Sequence, residues 1–485
     1  MSERLRSDDM AFLVTESAST PMHNATLEVF EPPTDGFDYD RLVGLIADRI
    51  AFVPRYRQRI RTVPGRLASP LWVDDDDFDL TYHVRRSALP RPGSMEQLRD
   101  LTARIVSRQL DRHRPLWEVY LIEGLERGRF AILTKSHQVL VDGVSTVDLG
   151  QVILDVDPDP RDTVHDDWRP EPAPRTPTLV VDAIGDTIRH PRTAVSTARD
   201  NAEVALRSAG SAGVRVLDLV GALSNRRVSP ESPMGAVLSE QRRFATVKTA
   251  LEDYRQVRRV HGGTVNDVIL TTVTGALRTW LMTRAESVHG SRTFRAMVPM
   301  GVIDGDLEPT SLGSQVAGHL LSLPVGESSP VVRLHQVSYA LKAHKETGRA
   351  VAADRLAGIA GFAPTTFHAL GSRVAAAQTR RGFHLVVTNV PGPQFPLYAA
   401  GAEMLESYPV PPLLPGHAVA IGVTSYDGHV YFGLTGDRDA VPDLDVLAQC
   451  LVESLEELAD TASATRMRAP RGRKKTTKPT TKAPT

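Results

Sequence analysis

The sequence contains one cysteine, Cys450, among 485 residues. A single thiol cannot form an intramolecular disulfide, and it cannot supply a metal site built from several cysteines. A lone cysteine in an apolar segment is most often a small buried hydrophobe. We therefore expect Cys450 to pack inside the C-terminal part of the protein.

Long apolar runs are also missing from this chain. No segment approaches the roughly 20 apolar residues that a membrane-spanning helix needs. The N-terminal segment does not have the pattern of a signal peptide, because two arginines are followed at once by two aspartates and Glu16 interrupts any apolar core. The sequence therefore predicts a cytoplasmic protein and leaves peripheral contact with a membrane or lipid surface open.

The chain has little net charge and lacks several common catalytic motifs. It carries 57 basic and 58 acidic residues, for a formal net charge of −1, which argues against nucleic acid as a partner. It contains no GxxxxGK[ST] phosphate loop, no HExxH zinc motif and no GxSxG nucleophile elbow. Nucleotide hydrolysis, zinc proteolysis and serine hydrolysis are therefore poorly supported.

The order of patterns along the chain divides it into four parts. Residues 1–155 and residues 236–462 each alternate strand-like and helix-like segments, which predicts two domains of mixed sheet and helix. Residues 156–235 begin with a Pro- and Asp-rich linker and continue with spaced apolar positions, which indicates a long helical crossover. Residues 463–485 are basic and should be disordered. This tail is either a solubilising extension or an anchor to an anionic membrane surface, at about 1 kcal/mol per basic residue.

Apolar periodicity predicts individual elements in both domains. The predicted helices are Asp40–Phe52, Val144–Leu154, Thr264–Met282 with Thr264 as its N-cap, and Leu444–Leu458. The predicted strands are Ala25–Phe30, Arg129–Lys135, Phe294–Pro299, Leu385–Thr388, Ala418–Ser425 and Val430–Leu434.

The stretch that carries most chemical information is SHQVLVDG, at residues 136–143. A strand delivers the polar pair His137 and Gln138, and three apolar residues separate this pair from Asp142 and Gly143, where a helix is predicted to follow. The stretch resembles the HHxxxDG signature of the bacterial wax ester synthase/diacylglycerol acyltransferase family, of the type found in mycobacterial triacylglycerol synthases.

Further segments resemble the same family in the same order, from about residue 7 to about residue 460. They are WVDDDDFDL at 72–80, RPLWE at 114–118, the Asn-Asp pair at 266–267, TNVPGP at 388–393, the Tyr-Pro pair at 408–409 and SYDG at 425–428. Because several motifs agree in order, the chain is identified as a member of this family of CoA-dependent acyltransferases.

The resemblance implies a fold and a reaction. The fold would be two chloramphenicol-acetyltransferase-like α/β domains, each a mixed sheet with helices, with a tunnel at their interface. The reaction would transfer a long-chain acyl group from acyl-CoA to diacylglycerol or a fatty alcohol, making triacylglycerol or wax ester. Acyl-CoA would be a substrate, so no bound cofactor and no metal is expected, and the protein would act in the cytoplasm or at the surface of the inner membrane or of lipid droplets.

The resemblance also implies a catalytic base at a position that this sequence has changed. In the family the second histidine of the motif deprotonates the attacking hydroxyl, the aspartate is structural and the glycine leaves room for substrate. Here these positions are Gln138, Asp142 and Gly143, and His137 matches the first histidine. A glutamine cannot accept a proton near neutral pH, and the loss of a general base costs about 10²–10⁴-fold in rate.

Three interpretations of Gln138 stay open: a natural member with weakened activity, a non-catalytic protein that binds acyl-CoA or lipid, and an introduced substitution. If the segment is extended, His137 faces away from the side that position 138 faces.

Four other residues are candidates for substrate binding or for stabilising the oxyanion. They are Asn266, Asn389, Pro115 and Trp117. Three of them also have a structural interpretation, in which Trp117 is a core residue, Asn266 belongs to a helix cap and Asn389 belongs to a turn. For Asn389, the resemblance implies a loop beside the tunnel.

Overall fold

The structure is a computed structural model that describes residues 3–5, 7–63, 68–140, 149–159, 168–174, 233–301, 316–346 and 382–467. Three of the sequence-based predictions lie wholly or mostly outside these residues. They are Asp142 and Gly143 of the motif, most of the crossover at 156–235, and the basic tail from residue 468 onward.

The described chain forms two six-stranded sheets, a two-stranded sheet and helices that cover them. The described helices are α1 (Ser7–Thr15), α2 (Tyr39–Arg49), α3 (Leu80–His83), α4 (Met95–Val106), α5 (Leu149–Val152), α6 (Leu251–His261), α7 (Val265–Thr283), α8 (Pro330–Glu346) and α9 (Leu444–Met467). The described strands are β1 (His23–Glu31), β2 (Gln58–Arg61), β3 (Leu71–Asp74), β4 (Val84–Ala88), β5 (Trp117–Glu123), β6 (Phe130–His137), β7 (Arg242–Ala250), β8 (Phe294–Gly301), β9 (Val316–Leu323), β10 (Leu385–Pro391), β11 (Tyr398–Ala399), β12 (Ala402–Val410), β13 (Val419–Tyr426) and β14 (His429–Asp437).

The first sheet has the strand order β11-β12-β1-β6-β5-β4, and β2 pairs with β3 beside it. Only β4 and β5 run parallel among its described pairs, and the others are antiparallel. Every residue of β6 is buried, and β1 is buried up to its last residue. Such strands are covered on both faces, which places the motif strand β6 at the centre of the N-terminal half.

Strands β11 and β12 come from the second half of the chain but form one edge of the first sheet, with Ala25 of β1 opposite Val410 of β12. The Tyr426 hydroxyl donates to the Met404 carbonyl at 2.8 Å and fastens β12 to the second sheet. Gly433 allows the close approach, because a Cβ atom there would lie 1.7 Å from the Pro409 carbonyl oxygen. The predicted domain of residues 236–462 therefore contributes an edge to the N-terminal sheet.

The second sheet has the strand order β7-β14-β13-β10-β8-β9. Strand β10 runs parallel to both of its neighbours, β8 and β13, and the remaining pairs are antiparallel. Helices α7 and α9 pack together on this sheet around a core that includes Trp280, Leu447 and Phe432. Cys450 lies in this core, as its sequence context predicts.

A polar contact joins the two halves where α4 ends. The backbone N–H of Arg242, the first residue of β7, donates to Ser107 Oγ at 3.0 Å. The guanidinium of Arg242 also donates to the Ser19 carbonyl and lies 3.5 Å from Asp437. The start of the C-terminal half is thus fixed to the end of α4 and to the segment that precedes β1.

Most predicted elements appear at or near their predicted places. The predicted Thr264 cap is confirmed, because its hydroxyl accepts from the Asp267 N–H and the Asp267 carboxylate accepts from the Thr264 N–H. The last helix extends to Met467, so residues 463–467, predicted to be disordered, are helical instead. None of the helices in the described segments combines the length and apolar content needed to cross a membrane.

Candidate active site

Gln138 follows directly on the last residue of β6 and begins a single 3-10 turn, Gln138–Leu140. Its backbone N–H donates to the Met22 carbonyl at 2.9 Å, one step beyond the His23–His137 pair. The β1–β6 ladder therefore continues through Gln138, and alternation puts its side chain on the opposite face from His137. The Gln138 side chain is fully buried.

The imidazole of His137 is held from both sides. Its Nδ1 accepts a 3.1 Å hydrogen bond from the Val139 N–H, which leaves the ring proton on Nε2. That Nε2 lies 3.6 Å from Oε2 of Glu16, and both side chains are almost inaccessible to solvent. These two contacts thus fix the orientation of the buried His137 ring.

Glu16 connects the segment after α1 to the motif. Its Oε2 accepts from Arg112 at 2.6 Å, and its Oε1 accepts from the Met22 N–H at 3.3 Å. Burial alone would raise the pKa of Glu16, but the contacts with His137 and Arg112 outweigh this effect and lower the pKa to about 2. Sequence reasoning missed this role, since Glu16 stands far from the motif and belongs to no recognisable pattern.

Pro115 and Trp117 precede and begin the strand beside β6. The indole N–H of Trp117 donates to the Tyr56 carbonyl at 2.7 Å, and its ring stacks on His83 at a centroid distance of 4.5 Å. Leu116 lies between Pro115 and Trp117 in the sequence, and its carbonyl accepts a hydrogen bond from the His137 N–H at 2.9 Å. Pro115 and Trp117 are both buried, so the core interpretation of Trp117 agrees with its position.

Two asparagines meet in the second sheet. Nδ2 of Asn389 donates to Oδ1 of Asn266 at 2.6 Å. Asn266 is the second residue of α7, and Asn389 lies within β10. The expectation that Asn389 lies in a loop is therefore wrong, because the strand continues to Pro391 and carries the side chain towards the start of α7.

The aspartate of the Asn-Asp pair has a structural role. Oδ2 of Asp267 accepts from the Thr264 N–H at 3.0 Å and from the Ser338 hydroxyl at 2.8 Å. It therefore caps α7 and ties that helix to α8. This fixes the direction of the neighbouring Asn266.

Lys135 and His23 occupy the same face of the first sheet as His137. The Lys135 ammonium donates to the Arg108 carbonyl at 2.6 Å and lies 3.6 Å from Glu118. Burial lowers the pKa of Lys135 to about 8, although Glu118 opposes the change. His23 Nε2 is 2.7 Å from the Val106 carbonyl, so both side chains satisfy carbonyls where α4 ends.

An apolar cavity of about 160 Å³ lies beside His137 and Glu16, between α1 and the β2–β3 hairpin. Its lining includes Leu116 and Arg112, which contact His137 and Glu16 respectively, together with Leu13. Within the described ranges, no cluster of three or more His, Cys, Asp or Glu side chains could hold a metal ion.

Two mixed sheets with the motif strand at the centre of the first are the architecture of the chloramphenicol-acetyltransferase-like fold. Residues 5–269 match the profile of the wax ester synthase/diacylglycerol acyltransferase catalytic domain, and residues 312–459 match that of the family's C-terminal domain. The chain belongs to the wax ester synthase/diacylglycerol acyltransferase family.

Relatives in Mycobacterium tuberculosis have similar sequences. The chain is 42% identical to the probable diacylglycerol O-acyltransferase tgs3 over 261 residues, which are 53% of this chain and 96% of tgs3. It is 33% identical to tgs2, a probable enzyme of the same name, over 93% of this chain and 97% of tgs2. These relationships support an acyltransferase of the diacylglycerol type and confirm the family predicted from the motifs.

Solved structures confirm the fold class. The wax ester synthase/diacylglycerol acyltransferase from Marinobacter aquaeolei VT8 matches with a TM-score of 0.65 and 28% identity, over 95% of this chain and all of that one. The first condensation domain of the calcium-dependent antibiotic synthetase matches with a TM-score of 0.54 and 14% identity, over 96% and 97% of the two chains. The second likeness is one of fold alone.

Proposed function

We propose that the protein binds long-chain acyl-CoA together with diacylglycerol or a fatty alcohol, and that it transfers the acyl group slowly, to make triacylglycerol or wax ester. The observation that carries this proposal is the placement of Gln138. It stands, fully buried, where the motif strand ends and where the family's base would stand. On this proposal the substrate site is retained while the proton acceptor is replaced.

The reduced rate follows from the chemistry of the attack. The acceptor hydroxyl must lose its proton as it adds to the thioester carbonyl. The Gln138 amide can orient that hydroxyl through a hydrogen bond but cannot take the proton. His137 does not substitute for it, because its Nδ1 is engaged by the Val139 N–H and its Nε2 faces Glu16.

Asn266 supplies a donor for the other half of the reaction. Because Asn389 donates to Oδ1 of Asn266, the Nδ2 group of Asn266 is the one directed to a ligand. Such a donor would stabilise the developing oxyanion. Asp142 and Gly143 would complete the motif, with Asp142 holding the strand-to-helix junction and Gly143 leaving space for substrate.

Acyl-CoA would enter as a substrate and free CoA would leave as a product: the new C–O bond forms as the C–S bond breaks, and the CoA sulfur takes up the proton that the acceptor hydroxyl loses. The reaction therefore needs no resident cofactor or metal. Transfer would take place in the cytoplasm, with the acceptor drawn from the inner membrane or a lipid droplet. The basic residues of 463–485 would favour an anionic surface.

A non-catalytic lipid binder is the alternative, and Gln138 favours it as well. The distinguishing experiment is transfer of radiolabelled palmitoyl-CoA to diacylglycerol and to hexadecanol. The natural protein is compared with Gln138→His, and with Gln138→Met as a control of similar length that has no amide.

We expect slow transfer by the natural protein and a rise of about 10²–10⁴-fold for Gln138→His. Gln138→Met should not exceed the natural protein. Tight binding of palmitoyl-CoA without any transfer would establish the binder instead. Fast transfer by the natural protein that Gln138→Met leaves intact would contradict the proposed role of this position.

A further inference from the structure

Asn24 lies in β1, next to the motif strand, and is 8% exposed. Neither Oδ1 nor Nδ2 of Asn24 has a hydrogen-bond partner among the residues that the structure describes. Buried carboxamides are nearly always hydrogen-bonded, because losing water without gaining a partner is costly. An unpaired buried carboxamide beside the motif strand is therefore placed to hydrogen-bond a ligand.

The position of Asn24 in the sheet shows which side chains share its face. It lies directly opposite Ser136 in the β1–β6 ladder, and Ser136 is in turn opposite Trp117. Directly opposite residues share one face of a sheet. Since the ladder continues through the Gln138 N–H to the Met22 carbonyl, Gln138 takes this same face.

Asn24 and Gln138 are therefore diagonal neighbours across the two strands. Such neighbours stand about 7–8 Å apart, so the two side chains border the same part of this face. His23 and His137 lie on the opposite face, where the Val106 carbonyl contacts His23 and the Glu16 carboxylate lies beside His137. The Asn24 amide thus lies on the face of the sheet that Gln138 occupies, opposite the face of His23 and His137.

We propose that Asn24 is a substrate-binding residue whose Nδ2 donates to the carbonyl oxygen of the acyl group, beside Gln138. This inference rests on the proposed function and names a contact within that site. A carbonyl suits the position because an uncharged acceptor can be buried beside a neutral amide, whereas a carboxylate or phosphate would bring an unpaired charge. The carbonyl belongs either to the thioester of acyl-CoA or to the ester of diacylglycerol.

The test compares ligands that differ only in that carbonyl. Palmitoyl-CoA is paired with S-hexadecyl-CoA, in which a methylene replaces the carbonyl, and dipalmitoylglycerol is paired with its dihexadecyl ether. Binding to the full chain is measured by calorimetry for the natural protein, for Asn24→Leu and for Asn24→Ala, which cannot overfill the site.

The natural protein should prefer one carbonyl ligand to its ether by about 3–10-fold, the worth of one hydrogen bond. Both variants should lose that preference, and the pair in which it disappears identifies the source of the carbonyl. If the preference survives in both variants, or if all four ligands weaken equally, Asn24 does not contact the carbonyl. If the natural protein binds none of the four, the proposed function itself fails, and the inference fails with it.

A stability measurement separates this role from a structural one. Asn24→Leu should raise the Tm of the ligand-free protein by roughly 1–3 °C, because it removes an unpaired buried amide from a chain of 485 residues. Thr102→Val is the matched control, since the Thr102 hydroxyl is also fully buried and lacks a partner among the described residues. It should raise the Tm comparably and leave every ligand preference unchanged. A lower Tm for both Asn24→Leu and Asn24→Ala would show that the amide supports the fold, and would overturn the proposal.

Discussion

The side-chain amide of Asn389 donates a 2.6 Å hydrogen bond to Oδ1 of Asn266, across 123 residues of sequence. The bond joins a strand of the second sheet to the first turn of α7. It also sets the direction of the Asn266 amide, since Oδ1 is engaged and Nδ2 is left to donate. Two motifs that look independent in the sequence therefore form one unit.

Replacing Asn389 by aspartate should separate the two consequences of this bond, which are the link between β10 and α7 and the direction of the Asn266 amide. A carboxylate cannot donate, so the Asn266 amide should rotate and give its Nδ2 to Asp at position 389. We expect the free energy of unfolding to change little, while affinity for palmitoyl-CoA and any transfer activity fall several-fold. Urea unfolding and ligand titration measure the two effects.

A double-mutant cycle is the control for the Asn389 prediction. Asn266→Ala, Asn389→Ala and the double variant should show a coupling of about 0.5–3 kcal/mol in unfolding free energy. Unchanged ligand affinity in Asn389→Asp would contradict the assignment of Nδ2 as the donor to substrate.

The ionisation of Glu16 should make the free energy of unfolding depend on pH in the acidic range. Its folded-state pKa is lowered to about 2 from an ordinary value of 4.5, by contacts with His137 and Arg112 that outweigh burial. Folding is therefore favoured by the carboxylate above pH 4.5, and this contribution is lost as the pH falls towards 2. Glu16→Gln should cost about 2–4 kcal/mol at pH 7, and the difference from the natural protein should shrink over that acidic range.

Denaturant unfolding between pH 7 and pH 2.5 checks the Glu16 prediction. Glu31→Gln is the control, since Glu31 pairs with Arg129 at the surface and should contribute at most about 1 kcal/mol. A constant difference between Glu16→Gln and the natural protein over the whole range would contradict the ionic role.

Local patterns predicted the elements that local physics determines. The start of α7 follows from Thr264 and Asp267, whose side chains cap the helix over three residues. The buried strands β1 and β6 follow from short apolar runs. The burial of Trp117 follows from its size among apolar neighbours.

Contacts between distant segments could not be predicted in this way. Glu16 is a charged residue at the end of a short helix, and only the folded chain brings it to His137. Strand β12 carries Tyr408 and Pro409, which the sequence marks as a motif without showing that they pair with β1. Asn24 directly precedes the predicted strand Ala25–Phe30, and only the longer observed strand β1 and its register opposite Ser136 place it beside the motif.

Lys135 should make the free energy of unfolding depend on pH in the basic range, and the free energy should rise with pH there, as it does for Glu16 in the acidic range. Burial lowers its folded-state pKa to about 8 from 10.5, in spite of Glu118. Between these two values the unfolded chain binds a proton that the native protein has lost, so the free energy of unfolding should rise with pH. Lys135→Met has no proton to lose, and Lys135→Arg keeps its charge throughout this range. Urea unfolding at pH 7, 8, 9 and 10 should therefore show the natural protein gaining stability relative to both variants as the pH rises. Parallel pH profiles for all three proteins would mean that the ammonium at the end of α4 stays charged, and that the Arg108 carbonyl and Glu118 compensate fully for its burial.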